Sequence, residues 1–399
     1  MSKQIEPARY EPDGWKQWPG EDELSFQFVR VLAAAQENAS TISECFQAAS
    51  RMVPGDVESW YTQWQRLGKT SEGRADAAHA AGHLATAQNN WLRAANYYRS
   101  SEFYLMGHDP RRLQAFDAVE RCSHQVLKLM NPIGEIVKIP YENGAHLDAY
   151  FLRAPQSDEK TPVVICHGGL DEYKDELLHE ITRHAFARGL SLLLVDMPGQ
   201  GGTLRRQKIV NRHDTEVPIG HCIDWLLARG DVDPKRIALY GASLGGYYAP
   251  RAAAFEHRLA ACVADCVIFE MDFAPRMSKP DALIWRHLKW VFGKDDMQGV
   301  VDKAKQFSLS QVIGNIKCPF LIVHGELDFA GTDHAHKAYE AAKKGGVDVD
   351  IKWFDAEETG ASHCQIDNLT LGMEYVCDWL AKKLGVDEAV VRKATPKLA

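Results

Sequence analysis

The stretch Arg236-Ile237-Ala238-Leu239-Tyr240-Gly241-Ala242-Ser243-Leu244-Gly245-Gly246 decides how this chain is read. Residues 236–240 form a short apolar run of strand type, and an Ala-rich segment at about 247–255 reads as a helix. Between them lies Gly-x-Ser-x-Gly. In a strand–turn–helix context this pattern is a nucleophile turn. Glycines allow a backbone reversal too tight for side chains, and the Ser243 hydroxyl is lifted above the sheet. The next helix points its N-terminus at the reacting carbon, where developing negative charge is favoured. A plain Gly/Ser turn is the competing reading, and the flanking strand and helix argue against it.

A serine needs a base, and the base needs an orienting acid. In this chain order the acid and then the histidine follow the serine. After the apolar run 320–323 comes His324-Gly325-Glu326-Leu327-Asp328. Asp328 is the chosen acid, Glu326 the fallback, and a solvated loop carboxylate the bland alternative. After the run 351–354 comes Gly360-Ala361-Ser362-His363, in a loop before the final helix. His363 is the chosen base, and His324 reads as a strand-end histidine. After the run 163–166 comes His167-Gly168-Gly169-Leu170-Asp171. Its glycines let backbone N–H groups face a substrate, so Gly169 or Leu170 is expected to supply one oxyanion donor and Leu244 the other. The stretch Asp196-Met197-Pro198-Gly199-Gln200-Gly201-Gly202 is not a dinucleotide fingerprint, because Leu204 holds the third glycine position. It reads as a turn after a strand.

Further strand runs lie at 163–166, 190–195, 260–267, 320–323 and 349–354, alternating with helical stretches. Continuous apolar runs suit strands buried on both faces, and the alternation argues for a parallel sheet with right-handed crossovers. Apolar runs at 136–139 and 147–152 flank Asn143-Gly144, a hairpin signal. The interval 269–316 contains Trp285, Trp290 and Phe292 and no clear strand, so it reads as an insertion at the C-terminal ends of the strands. Up to about residue 130 the texture is helical. Leu24, Phe28, Val31 and Leu32 recur at helical spacing, Asp56 reads as an N-cap, and an Ala-rich segment runs from about 74 to 106. Asp109-Pro110 starts another helix. Four to six packed helices are expected. The division falls near residue 132: a helical cap domain over 1–132 and a catalytic domain over 133–399.

The 399 residues fit one large domain plus an attachment. The 46 basic and 54 acidic residues give a net charge of −8, a poor match to nonspecific nucleic-acid binding. The first 20 residues are polar and lack the apolar core of a signal peptide. No apolar run approaches the roughly 20 residues that span a bilayer. The nine cysteines show no framework spacing and read as reduced thiols of a cytoplasmic protein.

Taken together, His-Gly-Gly, Asp-x-Pro-Gly-x-Gly, Gly-x-Ser-x-Gly-Gly and then Asp and His resemble the α/β-hydrolase superfamily over about residues 134–386. With the helical N-terminal block the chain is similar to the branch holding 2,6-dihydroxypseudooxynicotine hydrolase and the fungal hydrolases that shorten polyketide chains. The resemblance implies an α/β fold with a mostly parallel central sheet flanked by helices. It implies a triad at Ser243, Asp328 and His363, cleavage of carbon–carbon bonds in β-dicarbonyl-like compounds, and a homodimer. It also implies an extra acid near the substrate, for which Asp265, Glu270 and Asp272 are candidates. A carboxylesterase or acyl-peptide hydrolase with the same triad is the alternative, and a scaffold role for the helical block a third reading. The expected partner is a small molecule, with no cofactor and no metal.

Trp60, Tyr61, Trp64, Trp91, Tyr97, Tyr98 and Tyr104 are candidate pocket aromatics, with Trp60, Trp64, Tyr98 and Glu270 chosen as substrate contacts. Filling helix–helix core is the bland alternative. His79 and His83 sit four apart on an expected helix face without the glutamate of a zinc-protease motif. Arg205, Arg206 and Lys208 read as a solvated basic loop.

Overall fold

The apolar runs become strands because both of their faces are covered. In the computed structural model, which describes residues 16–155, 160–280, 282–387, 389 and 391, five α-helices come first among the described residues. These are α1 (Asp22–Ala33), α2 (Ile42–Ala49), α3 (Val57–Ala80), α4 (Leu84–Glu102) and α5 (Pro110–Lys128). An eight-stranded sheet follows: β1 (Glu135–Pro140), β2 (His146–Leu152), β3 (Thr161–His167), β4 (Ser191–Val195), β5 (Val232–Ala242), β6 (Ala261–Asp265), β7 (Phe320–Gly325) and β8 (Val349–Phe354). Its order is β1-β2-β4-β3-β5-β6-β7-β8. β1 and β2 run antiparallel, and β4, β3, β5, β6, β7 and β8 are mutually parallel. The arrangement is the one the resemblance implies. The N-terminal residues up to 15, on which the signal-peptide reading partly rests, lie outside the described residues.

The remaining helices are α6 (Lys174–Glu180), α7 (Thr182–Phe186), α8 (Gly201–Arg205), α9 (Glu216–Leu227), α10 (Gly245–Ala253), α11 (Ile284–Phe292), α12 (Met297–Ala304), α13 (Asp333–Lys344) and α14 (Leu369–Lys383). Alternate strand residues feed two cores, as the two-residue period of a strand requires. Ile165, Leu193, Leu239 and Ile322 face one. Val164, Leu194, Ala238 and Val323 face the other, together with Trp91, Phe116 and Val119 of α4 and α5. Helices α4 and α5 therefore help cover one face of the sheet. Helices α1 to α3 and the inward side of α4, with Trp18, Phe103 and Tyr104 beside them, share a separate cluster built on Phe28, Trp60, Trp64 and Tyr97. The interval between β6 and β7 holds α11 and α12 and, among its described residues, no strand of the sheet.

Local signals behave as their chemistry dictates. The Asp56 carboxylate caps α3 by accepting from Glu58 N at 2.9 Å, and Asp109 caps α5 ahead of Pro110. Asn143 (φ 55°) and Gly144 (φ 77°) turn the chain between β1 and β2.

Three expectations need correction. The Ala-rich segment is not one helix: Gly82, at φ 79°, ends α3 and lets α4 start afresh. His79 and His83 consequently sit on either side of a break, not on one helix face, and His79 packs on Trp91. Within the basic cluster Arg205 is not solvated, whereas Arg206 is exposed. Arg205 is buried and its Nε donates to Glu102 of α4 at 3.0 Å, while Arg206 reaches Asp117 of α5 at 2.7 Å. Buried arginine needs such partners because an unpaired charge is costly there.

Candidate active site

Ser243 stands at the end of β5 with φ 58°, a left-handed conformation unfavourable for a side chain unless the surroundings impose it. They do. Ser243 N donates to Asp265 O at 2.9 Å, tying the turn to the end of β6. A Cβ at Gly246 would lie 2.6 Å from the Cys266 carbonyl oxygen, so the start of α10 packs against β6 only with glycine there. The result presents the serine side chain upward, half-buried, at the C-terminal edge of the sheet.

The structure brings His363 and Asp328 to that serine. Asp328 lies just past β7 and His363 in the loop after β8. His363 Nδ1 lies 2.9 Å from each Asp328 carboxylate oxygen. A carboxylate only accepts, so the proton sits on Nδ1 and Nε2 is left to accept from Ser243 Oγ, 2.8 Å away. Burial alone would lower the imidazole, but the adjacent Asp328 carboxylate reverses this and holds His363 well above the ordinary histidine range. Asp328 is held well below the carboxylate range against its own burial, chiefly by His363. The two fallback residues go elsewhere. Glu326 is exposed and accepts from Ala356 N at 3.1 Å. His324 is fully buried, packs edge-on against Trp353, and burial pushes it below the ordinary value.

The glycine loop after β3 crosses directly above the serine turn. A Cβ at Gly169 would stand 2.6 Å from Ser243 Cβ and 2.8 Å from Leu244 N. Among the described residues no acceptor takes the Leu170 or Leu244 backbone N–H. Gln200, buried in the turn after β4, holds this loop. Its Nε2 donates to Gly168 O at 2.6 Å and Gly169 O at 2.7 Å, and its Oε1 accepts from Met197 N at 3.1 Å. With both carbonyls drawn down to Gln200, the loop's N–H groups turn the other way. Reading the Asp-x-Pro-Gly-x-Gly stretch as a bare turn misses this residue. The signal was a long amide donor among glycines, one strand away from the His-Gly-Gly loop.

Ser243 and His363 line a cavity of about 830 Å³. Its walls come from α1, from Phe103 and Tyr104 just past α4, from 170–172, from Met271, Phe273 and Leu288 between β6 and β7, and from Leu327 and Phe329. Of the aromatic candidates only Tyr104 reaches it, with its hydroxyl on Glu23 O at 2.9 Å. Trp60, Trp64 and Tyr98 do not. Trp60 donates to Ser100 O at 2.7 Å, Trp64 stacks on Tyr97, and the Tyr98 hydroxyl donates to Glu72 at 2.7 Å. They fill helix–helix core because large rings between α3 and α4 are what hold those helices together. Glu270 and Asp272 line the cavity, whereas Asp265 lies beneath it, bonded to the Tyr240 hydroxyl at 3.1 Å and to Gln365 at 3.2 Å. Burial raises Asp265 to about 6.

Among the missed aromatics of this wall, Phe26 and Phe329 stand beside the triad histidine. Phe329 lies 4.3 Å from the His363 ring, and Phe26 of α1 packs edge-on against Phe329 at 5.4 Å. Phe26 falls off the Leu24–Phe28–Val31 stripe that faces the helical core, and an apolar residue off the stripe was its only trace in the sequence. Helix α1 is fastened there by Arg30, 3.2 Å from Asp171 and 2.7 Å from Glu176. Beside them burial, with repulsion from the Glu176 carboxylate, raises Glu172 and Glu180, both on the cavity wall.

Comparison with known proteins gives concordant matches. A family model described as Esterase FrsA-like matches residues 17–279, and one described as Prolyl oligopeptidase family matches residues 214–387. The chain is 31% identical to Hydrolase LUC6 of Fusarium sp over 91% of its own length and 97% of the relative's. It is 29% identical to 20-hydroxy-prefusarin hydrolase FUS2 of Gibberella moniliformis, over 93% and 98%. The crystal structure of 2,6-dihydroxy-pseudo-oxynicotine hydrolase superposes with a TM-score of 0.76 at 23% identity, covering 88% of this chain and 95% of that one, and shows the shared fold.

Proposed function

The chain belongs to the FrsA-like esterase family of α/β-hydrolases, and from that premise we propose that it is a serine hydrolase working through an acyl-enzyme on a small carbonyl compound. The observation that carries the reading is the unbroken chain Ser243 Oγ–His363 Nε2, 2.8 Å, and His363 Nδ1–Asp328, 2.9 Å, at the wall of an 830 Å³ cavity. Ser243 gives its proton to His363 Nε2 as Oγ attacks the carbonyl carbon. Asp328 stabilises the imidazolium that forms. The Leu244 N–H, with that of Gly169 or Leu170, takes the oxyanion. His363 then returns the proton to the leaving group, and water hydrolyses the acyl-enzyme. These groups supply all the proton transfer and charge stabilisation that acyl transfer demands.

The leaving atom is proposed to be carbon, in a β-dicarbonyl-like or polyketide-like aromatic substrate. A departing carbanion must be delocalised, and a second carbonyl or an electron-poor ring does this. The cavity is wide enough for such a compound, with Phe26, Phe329 and Tyr104 as flat walls and Glu270 and Asp272 as polar contacts. A simple ester is the second reading, favoured by the esterase description of the matching family. The stretch 1–132 is read as a cap, carried chiefly by α1 to α3, on the catalytic domain 133–399, whose sheet α4 and α5 help cover. The reading extends to a cytoplasmic homodimer. Eight buried free thiols among nine suit a reducing compartment, and light scattering tests the dimer.

A substrate panel separates the two chemistries. Aromatic β-diketones are expected to turn over with higher kcat/KM than short p-nitrophenyl esters, and Ser243→Ala to abolish both. Ester turnover alone would overturn carbon–carbon cleavage, and undiminished activity of a folded Ser243→Ala protein would overturn the serine mechanism.

A further inference from the structure

Behind Asp328 lie two metal-ligand side chains, Cys266 and His324, that the acyl-transfer chemistry does not use. Cys266 Sγ, a His324 ring nitrogen and an Asp328 carboxylate oxygen all lie within 4.8 Å of one another, and all three residues are buried. His324 Nε2 is 3.9 Å from Asp328 Oδ2. Neither His324 ring nitrogen makes a well-aligned hydrogen bond to a described residue, although the Gly331 backbone lies close to the ring and the residue is fully buried. A neutral imidazole carries one donor and one acceptor, and orphaned polar atoms in a protein interior call for an explanation. Cys266 is held at φ 59° at the end of β6, with its sulfur accepting from Cys364 N at 3.0 Å.

We propose that Cys266, His324 and Asp328 form an inhibitory site for Zn²⁺ or a similar borderline-soft divalent cation. The donor set of thiolate, imidazole and carboxylate is the one such ions choose, at about 2.0–2.3 Å from each ligand atom, a reach that spans these separations with small side-chain rotations. Binding forms a metal–sulfur bond and releases the Cys266 thiol proton to solvent. The thiolate and Asp328 carboxylate then neutralise the ion in the buried setting. The ion does not join the hydrolytic cycle. It draws Asp328 off His363 Nδ1, so the base loses both its orientation and the charge that stabilises its protonated form. This inference rests on the triad reading above. A second group, Cys266, His363 and Cys364, shares the same thiol and is the competing position.

Co²⁺ and Zn²⁺ are added to the full-length enzyme and to its Cys266→Ser, His324→Gln and Cys364→Ser variants. The expected result is one Co²⁺ per chain with a thiolate-to-cobalt absorption band, weakened at least about tenfold in affinity by Cys266→Ser and by His324→Gln but retained in Cys364→Ser. Zn²⁺ is expected to suppress both turnover and fluorophosphonate labelling of Ser243, with recovery on chelation. Two variants and a spectrum guard against one variant failing to fold. A band unaffected by His324→Gln but lost in Cys364→Ser would put the ion on the competing group and overturn the proposal, as would the absence of any band. Labelling that stays constant while the site is filled would overturn the inhibitory role. A metal-free enzyme without label on Ser243 would instead mark a failure of the serine reading, which the cobalt spectrum does not depend on.

Discussion

Between Ser243 and Asp328 everything turns on which nitrogen of one imidazole holds the proton. Asp328 pins it on Nδ1 and raises His363 well above the ordinary histidine value, against the effect of burial. The protonated ring cannot accept the serine proton. The kcat/KM profile is therefore expected to fall as pH drops through the raised His363 value, with its acid limb above about 6.5, the unperturbed histidine pKa. Asp328→Asn removes the charge that raises it. The limb should move to lower pH while kcat falls by roughly 10⁴-fold, and pH-rate profiles of both proteins check this. Gln200 acts one step further out, as a positioning residue. Gln200→Leu frees the Gly168 and Gly169 carbonyls and is expected to lower kcat up to about 10²-fold with little change in KM, as measured by steady-state kinetics. A fall confined to KM would contradict that role. The three side chains that converge were legible because each chemistry has a local context: a strand end, a glycine, a loop before a helix. Gln200 was not, because its partners lie 31 and 32 residues away, and nothing local shows which carbonyls an amide will meet.

At the scale of elements, the strands read cleanly and the helix contacts did not. A run such as 190–195 is apolar on both faces and has one solution, a buried strand. A tryptophan on α3 has two solutions, core or cavity, and periodicity does not choose between them. Trp60 and Trp64 went to the core, and Phe26, off the periodic stripe, went to the cavity. The buried ion pairs that join α4 and α5 to the sheet were equally hidden, since Arg205 reads as a surface residue until Glu102 is placed beside it. Glu102 faces both Arg112, at 3.1 Å, and Arg205. Glu102→Ala leaves two guanidiniums buried without their shared carboxylate and is expected to cost about 3–5 kcal/mol in stability by urea denaturation. A loss below about 1 kcal/mol would mean that solvent reaches this junction.

Across the whole molecule, the N-terminal helices do two separate jobs. Trp91, Phe116 and Val119 of α4 and α5 complete one sheet face, while α1 carries Phe26 to the cavity and is anchored by Arg30 on Asp171 and Glu176. The surplus length beyond the hydrolase sheet is thus built into its core as well as into the cavity wall. The coarse plan was visible as a change of texture near residue 132, where helical periodicity gives way to alternating strand runs. The sharing of one core across that change was not, because contacts between distant segments leave no mark in either one. The central claim is that Ser243 is the nucleophile of an acyl-transfer enzyme. Its most direct test is mass spectrometry of the protein after reaction with a fluorophosphonate. A single adduct mapped to the Ser243 peptide is predicted, absent in Ser243→Ala and strongly reduced in His363→Ala. An adduct on another residue, or one that persists in Ser243→Ala, would contradict it.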